Sequence, residues 1–270
     1  MSLPFSASTA AGDRNTTPPP TVPYRGAIAI GRLVAWLCAL LAATVPAISA
    51  AASSFGERWQ VVLVAGDDAQ PVFDNAVRAV DRFLRDRGVP AADIHRFSAA
   101  PGETGAEPAV AAAIARRIAT LPVAPGGRCL VFITSHGERA RGVFLAIDQD
   151  DLTPSLLARA LAGNCAAVPT VVIVSACYSG SFAEPPMTAP NRIVLTAARA
   201  DRPSFGCAAD RTFTVFDQCL LEALPQVADW RALYERTGGC VRRNEHEMTA
   251  LPSRPQAWFG AAVGSRPPWF

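Results

Sequence analysis

Apolar, β-favouring runs alternate along this chain with helical stretches, and that alternation most constrains how it can fold. Strands separated by helices are typical of right-handed crossovers and of a mostly parallel sheet covered on both faces. The sequence therefore predicts a layered α/β fold. The predicted strands are 59–65, 94–98, 129–135, 170–175 and 192–197, and the predicted helices are 73–87, 109–121, 153–162 and 212–224.

Four further segments are less regular. Residues 143–147 predict a short strand or hairpin, and the proline-rich segment 184–190 predicts a rigid loop. Residues 228–248 read as one or two helices broken at Gly238 and Gly239, and 257–263 as an edge strand.

Two short motifs follow two of the predicted strands. Ser-His-Gly occupies 135–137, and Ser-Ala-Cys-Tyr-Ser-Gly-Ser occupies 175–181. Because the carboxyl ends of parallel strands form the ligand crevice of an open sheet, His136 and Cys177 are expected on one rim. An imidazole beside a thiol is the minimum apparatus of a thiol hydrolase, since it supplies the proton transfer that a thiolate nucleophile needs. Gly137 leaves its backbone open, so its N–H and that of Cys177 are candidate oxyanion donors.

The amino-acid composition argues against several classes of partner, site and enzyme. A formal net charge of +2 with well-mixed charges points away from nucleic acid as a partner. The chain contains no lysine, which excludes a Walker A lysine and a Schiff-base lysine. Its three histidines lack ligand-like spacing and no Cys-x-x-Cys occurs, so neither a metal site nor a cofactor is expected. His95 and His246 are expected to be ordinary surface residues. The segment after Cys177 is not a Gly-x-Ser-x-Gly elbow, which disfavours a serine esterase.

The residues from about 59 to 224 resemble, in order, the legumain-like cysteine peptidases of clan CD, family C13, which share the caspase fold. The resemblance rests on the two motifs, on the strand 61–66, on the helix and turn at 75–93, and on the segments 195–207 and 212–224. It implies a caspase-like three-layer α/β/α sandwich with a mostly parallel central sheet. It also implies a cysteine endopeptidase acting on peptides or proteins, with Cys177 as nucleophile, His136 as general base and acid, and a thioester intermediate open to water or to a second amine.

The chain departs from the family pattern near the substrate. Ser175 stands where a glutamate usually helps to line the pocket, and Asp68 is the candidate to orient the histidine in place of an asparagine. Val72 and Phe73 fall where legumain holds an asparagine side chain with arginine and histidine. The remaining pocket candidates are Ser204 and Asp217, and an acid at the floor favours a basic or amide group at P1. Asparagine, aspartate and arginine all remain possible as the P1 residue.

Two segments precede the predicted domain, and the second of them has the pattern of a targeting sequence. Residues 1–24 are rich in Ser, Thr and Pro and predict a disordered extension, while 25–52 predict a signal peptide or membrane anchor. The peptidase domain is expected over 56–265. This layout predicts an exported protein that is periplasmic, anchored in an inner membrane or secreted. The use of arginine as the sole basic residue besides histidine suggests a GC-rich bacterial genome.

Six cysteines follow the export segment. If Cys177 stays free, at most two disulfides form and at least one further thiol is unpaired. Two functions other than a peptidase remain possible. One is a catalytically silent caspase-like scaffold that binds peptides, and the other is a non-peptidase thiol amidohydrolase.

Overall fold

A computed structural model describes residues 58–208 and 210–263. The predictions for residues 1–24 and 25–52 lie outside the described residues. Within them, none of the helices combines the length and the apolar character that crossing a membrane requires.

Seven strands form the central sheet, in the spatial order β10-β9-β8-β4-β1-β2-β3. All neighbours pair in parallel except β10, which runs antiparallel to β9 at one edge. The strands are β1 (Trp59–Ala65), β2 (Ile94–Ser98), β3 (Ala106–Pro108), β4 (Arg128–Thr134), β8 (Thr170–Ser175), β9 (Arg192–Thr196) and β10 (Gln256–Phe259).

A second, three-stranded antiparallel sheet follows β4 at its carboxyl end. It consists of β5 (Gly137–Glu138), β6 (Gly142–Leu145) and β7 (Asp150–Leu152). The expected hairpin at 143–147 is thus part of this sheet, and β3 and β7 have no counterpart in the sequence prediction.

Both faces of the central sheet are covered, which is why its strands are apolar at successive positions rather than at alternate ones. Along β1, Val61 and Leu63 enter one buried cluster and Val62 and Val64 enter the other. One cluster includes residues of α1 (Val72–Asp86), α4 (Val215–Ala223) and α5 (Trp230–Glu247), and the other includes residues of α2 (Ala111–Ala119) and α3 (Pro154–Leu161). The predicted α/β/α sandwich is confirmed.

Three features of the structure differ from the sequence prediction. Helix α5 runs unbroken through Gly238 and Gly239, so the break expected there is wrong. Tertiary packing offsets the low helix propensity of glycine here, because Leu233, Val241 and other residues of α5 are buried against the sheet. His95, expected at the surface, is half-buried on β2, and burial lowers the pKa of its imidazole. The last strand ends at Phe259, short of the 257–263 expected.

Two disulfides link described cysteines: Cys129 with Cys165, and Cys219 with Cys240. The second joins α4 to α5. Cys177 and Cys207 are free thiols, which agrees with the expected limits of at most two bridges and at least one unpaired thiol besides Cys177.

Removing the α4–α5 bridge should destabilise the fold. We expect the Cys219→Ala/Cys240→Ala double variant to lose about 3 kcal/mol of unfolding free energy, the loop-entropy value for a separation of 21 residues. Chemical denaturation under non-reducing conditions measures it. The Cys207→Ala variant, which removes a free thiol, is the matched control, and equal losses in the two variants would contradict the assignment.

Candidate active site

Pairing of β4 with β8 brings the two chemical motifs together. The strands are parallel and in register, with Thr134 opposite Ser175, and the Ser135 N–H donates to the Ser175 carbonyl at 3.1 Å. The next residues along each strand leave the sheet at the same edge, which is the carboxyl edge where open α/β sheets bind ligands. His136 and Cys177 therefore leave neighbouring strands on one rim.

The backbone of His136 is held by the small sheet. Its carbonyl accepts a hydrogen bond from the Phe144 N–H at 3.0 Å, and the Ser135 hydroxyl donates to the Phe144 carbonyl at 2.7 Å. The imidazole packs against the ring of Phe73, with ring centroids 5.2 Å apart and planes inclined at 78°. The histidine thus sits between the β5–β6 hairpin and the start of α1.

The Cys177 thiol lies on the backbone of Ser204. The Ser204 N–H donates to Sγ at 3.3 Å, and the thiol donates to the Ser204 carbonyl at 3.4 Å. The chain turns sharply after the cysteine, because Tyr178 adopts a left-handed conformation with φ of 57° and its N–H donates to the Arg202 carbonyl at 2.8 Å. Segment 199–204 is therefore the wall against which the thiol rests.

Gly137 lies directly against the cysteine loop. A Cβ at this position would collide with the Cys177 carbonyl oxygen and approach the Ala176 Cβ at 3.1 Å. Only glycine allows the histidine loop and the cysteine loop to approach this closely. The backbones of the two motifs are in contact.

A buried carboxyl lies beneath this rim. Asp217, in the first turn of α4, is fully buried and accepts a hydrogen bond from the Thr134 hydroxyl at 2.7 Å. Thr214 caps the helix by accepting from the Asp217 N–H, and its hydroxyl lies 3.4 Å from that of Ser175. Burial raises the pKa of Asp217 to about 6, opposed by the hydroxyl hydrogen bonds. No ion pair to Asp217 occurs within residues 58–208 and 210–263.

The second free thiol, Cys207, belongs to the same neighbourhood. Burial, together with the charges of Cys177, Asp217 and Asp67, raises the pKa of the Cys207 thiol to about 12. Cys207 therefore stays a protonated thiol at neutral pH and is a poor nucleophile.

Residues 112–237, which contain both motifs and Asp217, match the model of the Peptidase C13 family. This match supports the resemblance to legumain-like cysteine peptidases. The solved structures include a similar one, caspase-1 from Spodoptera frugiperda, with a TM-score of 0.51 and 15% identity over 76% of this chain and 86% of that one. That likeness shows the caspase-like fold. No match was found among curated proteins.

Two acidic residues, Asp67 and Asp68, follow β1, and neither reaches the histidine. Asp68, the candidate orienter, is exposed, and no hydrogen bond joins it to His136 in the described part of the chain. Asp67 is buried, but its carboxylate accepts from the Ala69 N–H at 2.7 Å in a local turn. Of the other residues singled out in the sequence, Gly137 and Ser204 lie against Cys177, whereas Ser175 and Asp217 lie beneath it among hydroxyl groups.

Sequence reasoning missed Thr134, Thr214 and Cys207. Thr214 precedes Asp217 by three residues, a spacing typical of a helix cap, so it could have been found. Thr134 immediately precedes Ser-His-Gly at the end of a buried strand, and nothing in the local sequence relates it to Asp217, 83 residues away.

The described side chains are not arranged as a metal site. Within the described ranges, no group of three or more His, Cys, Asp or Glu side chains is placed to hold a metal ion.

Asp217 should make folding stability depend on pH. Because its pKa in the folded protein is raised, the folded state binds the proton more tightly, and stability falls as pH rises from about 4 to about 6. We expect the stability of Asp217→Asn relative to wild type to improve by about 2 kcal/mol between about pH 4.5 and about pH 7.5. Urea denaturation at both pH values measures it. Asp86→Asn, which changes an exposed carboxyl, should show no such trend, and a flat difference for Asp217→Asn would contradict the raised pKa.

Proposed function

We propose that this chain is a cysteine endopeptidase in which Cys177 attacks the scissile carbonyl and His136 handles the proton. The observation that carries the proposal is the close approach of the two motif backbones at the carboxyl edge of the sheet, where only glycine fits at 137. The match of residues 112–237 to the Peptidase C13 family model supports the same reaction class.

The reaction follows from the groups present. His136 takes the thiol proton, and the Cys177 sulfur forms a bond to the carbonyl carbon of the peptide. Collapse of the tetrahedral intermediate breaks the C–N bond, and His136 gives its proton to the leaving amine. Water then attacks the thioester, with His136 as base, and releases the acid. A second amine in place of the water would give transpeptidation.

The oxyanion is assigned to backbone donors. The N–H groups of Gly137 and Cys177 belong to two loops in contact, so they are available to one carbonyl oxygen between them. Donors built from backbone need no reorganisation during the reaction, which is the condition for strong stabilisation of a developing charge.

The substrate pocket is assigned to Ser175, Ser204 and Asp217. Ser204 holds the resting thiol through both of its backbone polar groups, so substrate binding has to exchange these contacts for contacts with the peptide. Asp217 carries no ion-pair partner within the described ranges, and a P1 side chain with an amide or a cationic group would supply donors to it. We therefore propose a preference for basic or amide residues at P1.

Export is also proposed. Two disulfides among the described cysteines support an oxidising compartment, since such bonds are rare in the cytosol of most organisms. Residues 25–52 would provide the signal peptide or membrane anchor, with the protein periplasmic or held at the inner membrane of a bacterium.

Two observations favour a second candidate, a silent caspase-like scaffold that binds peptides. The thiol is engaged by Ser204, and Asp68 does not reach His136. In such a scaffold, Cys177 would line the peptide-binding groove and would never be acylated.

Hydrolysis of a fluorogenic peptide panel with Asn, Asp, Arg, Lys or Ala at P1 tests the proposal. We expect cleavage by the wild type, a loss of at least about 10³-fold in Cys177→Ala and His136→Ala, and little change in Cys207→Ala. The peptidase proposal would be rejected if no member of the panel were cleaved and if Cys177 reacted no faster with iodoacetamide than Cys207. The silent scaffold would then be the better account.

The contact at Gly137 gives a separate test that spares both reactive side chains. Gly137→Ala should lower kcat/KM by about 100-fold or more, because the added methyl group pushes the two loops apart and misplaces the oxyanion donors. Gly238→Ala, in a helix where a Cβ meets a side-chain atom no closer than 3.5 Å, is the control and should retain activity. Full activity of Gly137→Ala would refute the oxyanion assignment.

A further inference from the structure

A catalytic histidine needs a partner that fixes the orientation of its ring, because imidazole rotation moves both nitrogen atoms away from the reacting groups. Hydrogen-bonded acids or amides commonly do this. In residues 58–208 and 210–263 no side chain is hydrogen-bonded to the His136 imidazole. Asp68 is exposed, and Asp67 is engaged with the backbone of Ala69.

Phe73 contacts the imidazole. The separation of 5.2 Å between ring centroids and the inclination of 78° match the edge-to-face packing that aromatic rings prefer. Such a contact restricts the ring without a hydrogen bond, because rotation of the imidazole would drive its edge into the phenyl ring.

Phe73 is itself firmly held. Its side chain is 0% exposed and belongs to the buried cluster shared by β1, α1 and α4. It lies in the first turn of α1, where the Asn75 N–H donates to the Pro71 carbonyl and the Asn75 side chain donates to the Thr212 carbonyl. A phenyl ring in a close-packed cluster is a rigid wall for a neighbouring side chain.

We infer that Phe73 is the positioning residue of His136, replacing a polar orienter by aromatic packing from the core. This inference rests on the proposed function, since it assigns a role within the proposed dyad. Phe73 has no exposed surface, so it offers substrate no contact of its own, and any effect it has on the reaction passes through the histidine. Its removal should lower kcat and leave KM nearly unchanged.

The test is Phe73→Leu, which keeps an apolar side chain and removes the ring. We expect kcat to fall by about tenfold or more, the order of effect for a small misplacement of a catalytic group, with KM changed by less than about twofold. Phe97→Leu is the matched control, because Phe97 is equally buried but lies in the cluster on the other face of the sheet. Phe73→Tyr retains the ring and should retain most of kcat.

A second readout does not depend on activity. The chain has only three histidines, so ¹³C labelling of histidine gives three sets of ring signals, with His136→Ala assigning the relevant one. In wild type the ring current of Phe73 should displace the His136 ring-proton shifts, and Phe73→Leu should remove that displacement while the His95 and His246 signals stay in place. These spectra also report whether each variant is folded.

The outcomes separate the two claims. Equal losses of kcat in Phe73→Leu and Phe97→Leu, or His136 signals that do not respond to Phe73→Leu, would overturn the positioning role and leave the peptidase intact. If wild type cleaves no peptide, the proposed function fails, and the spectra alone then decide whether Phe73 orients the imidazole.

Discussion

The parallel pairing of β4 with β8 is the interaction on which the candidate site depends. Thr134 and Ser175 are opposite each other in that ladder, so the histidine and cysteine loops leave the sheet side by side. A slip of one residue would reverse the face of every side chain in β8 and break both buried clusters at once. The hydrophobic packing on the two faces of the sheet therefore determines the register, and the register sets the separation of the two loops.

Around this pairing the site is built largely from backbone. The thiol rests on the main chain of Ser204, the histidine carbonyl is held by Phe144, and Gly137 touches the main chain of Cys177. Side chains lie beneath the rim that carries His136 and Cys177. There the buried acid Asp217 is surrounded by hydroxyl groups. Rigid backbone and a desolvated acid are features of a preorganised site, in which the polar groups are oriented before the substrate arrives.

The sequence predicted the layers, most strand positions and the edge on which His136 and Cys177 lie, because apolar runs and their periodicity report directly on burial. It did not predict the unbroken helix through Gly238, since tertiary packing outweighs local propensity there. It favoured Asp68 as the histidine's partner because a carboxylate is a recognisable orienter. The contact with Phe73 was missed because an apolar residue in a helical stripe reads only as core, and its neighbour across space is not visible in the sequence.

The most direct test of the central claim is to trap the acyl-enzyme. The wild-type protein is mixed with a cleavable peptide, quenched with acid within the first turnover, and its digest is mapped by mass spectrometry. The account predicts the acyl half of the peptide in thioester linkage on Cys177, with Cys207 unmodified because its raised pKa keeps it protonated. Acylation of any other residue, or product formation without acylated Cys177, would contradict it.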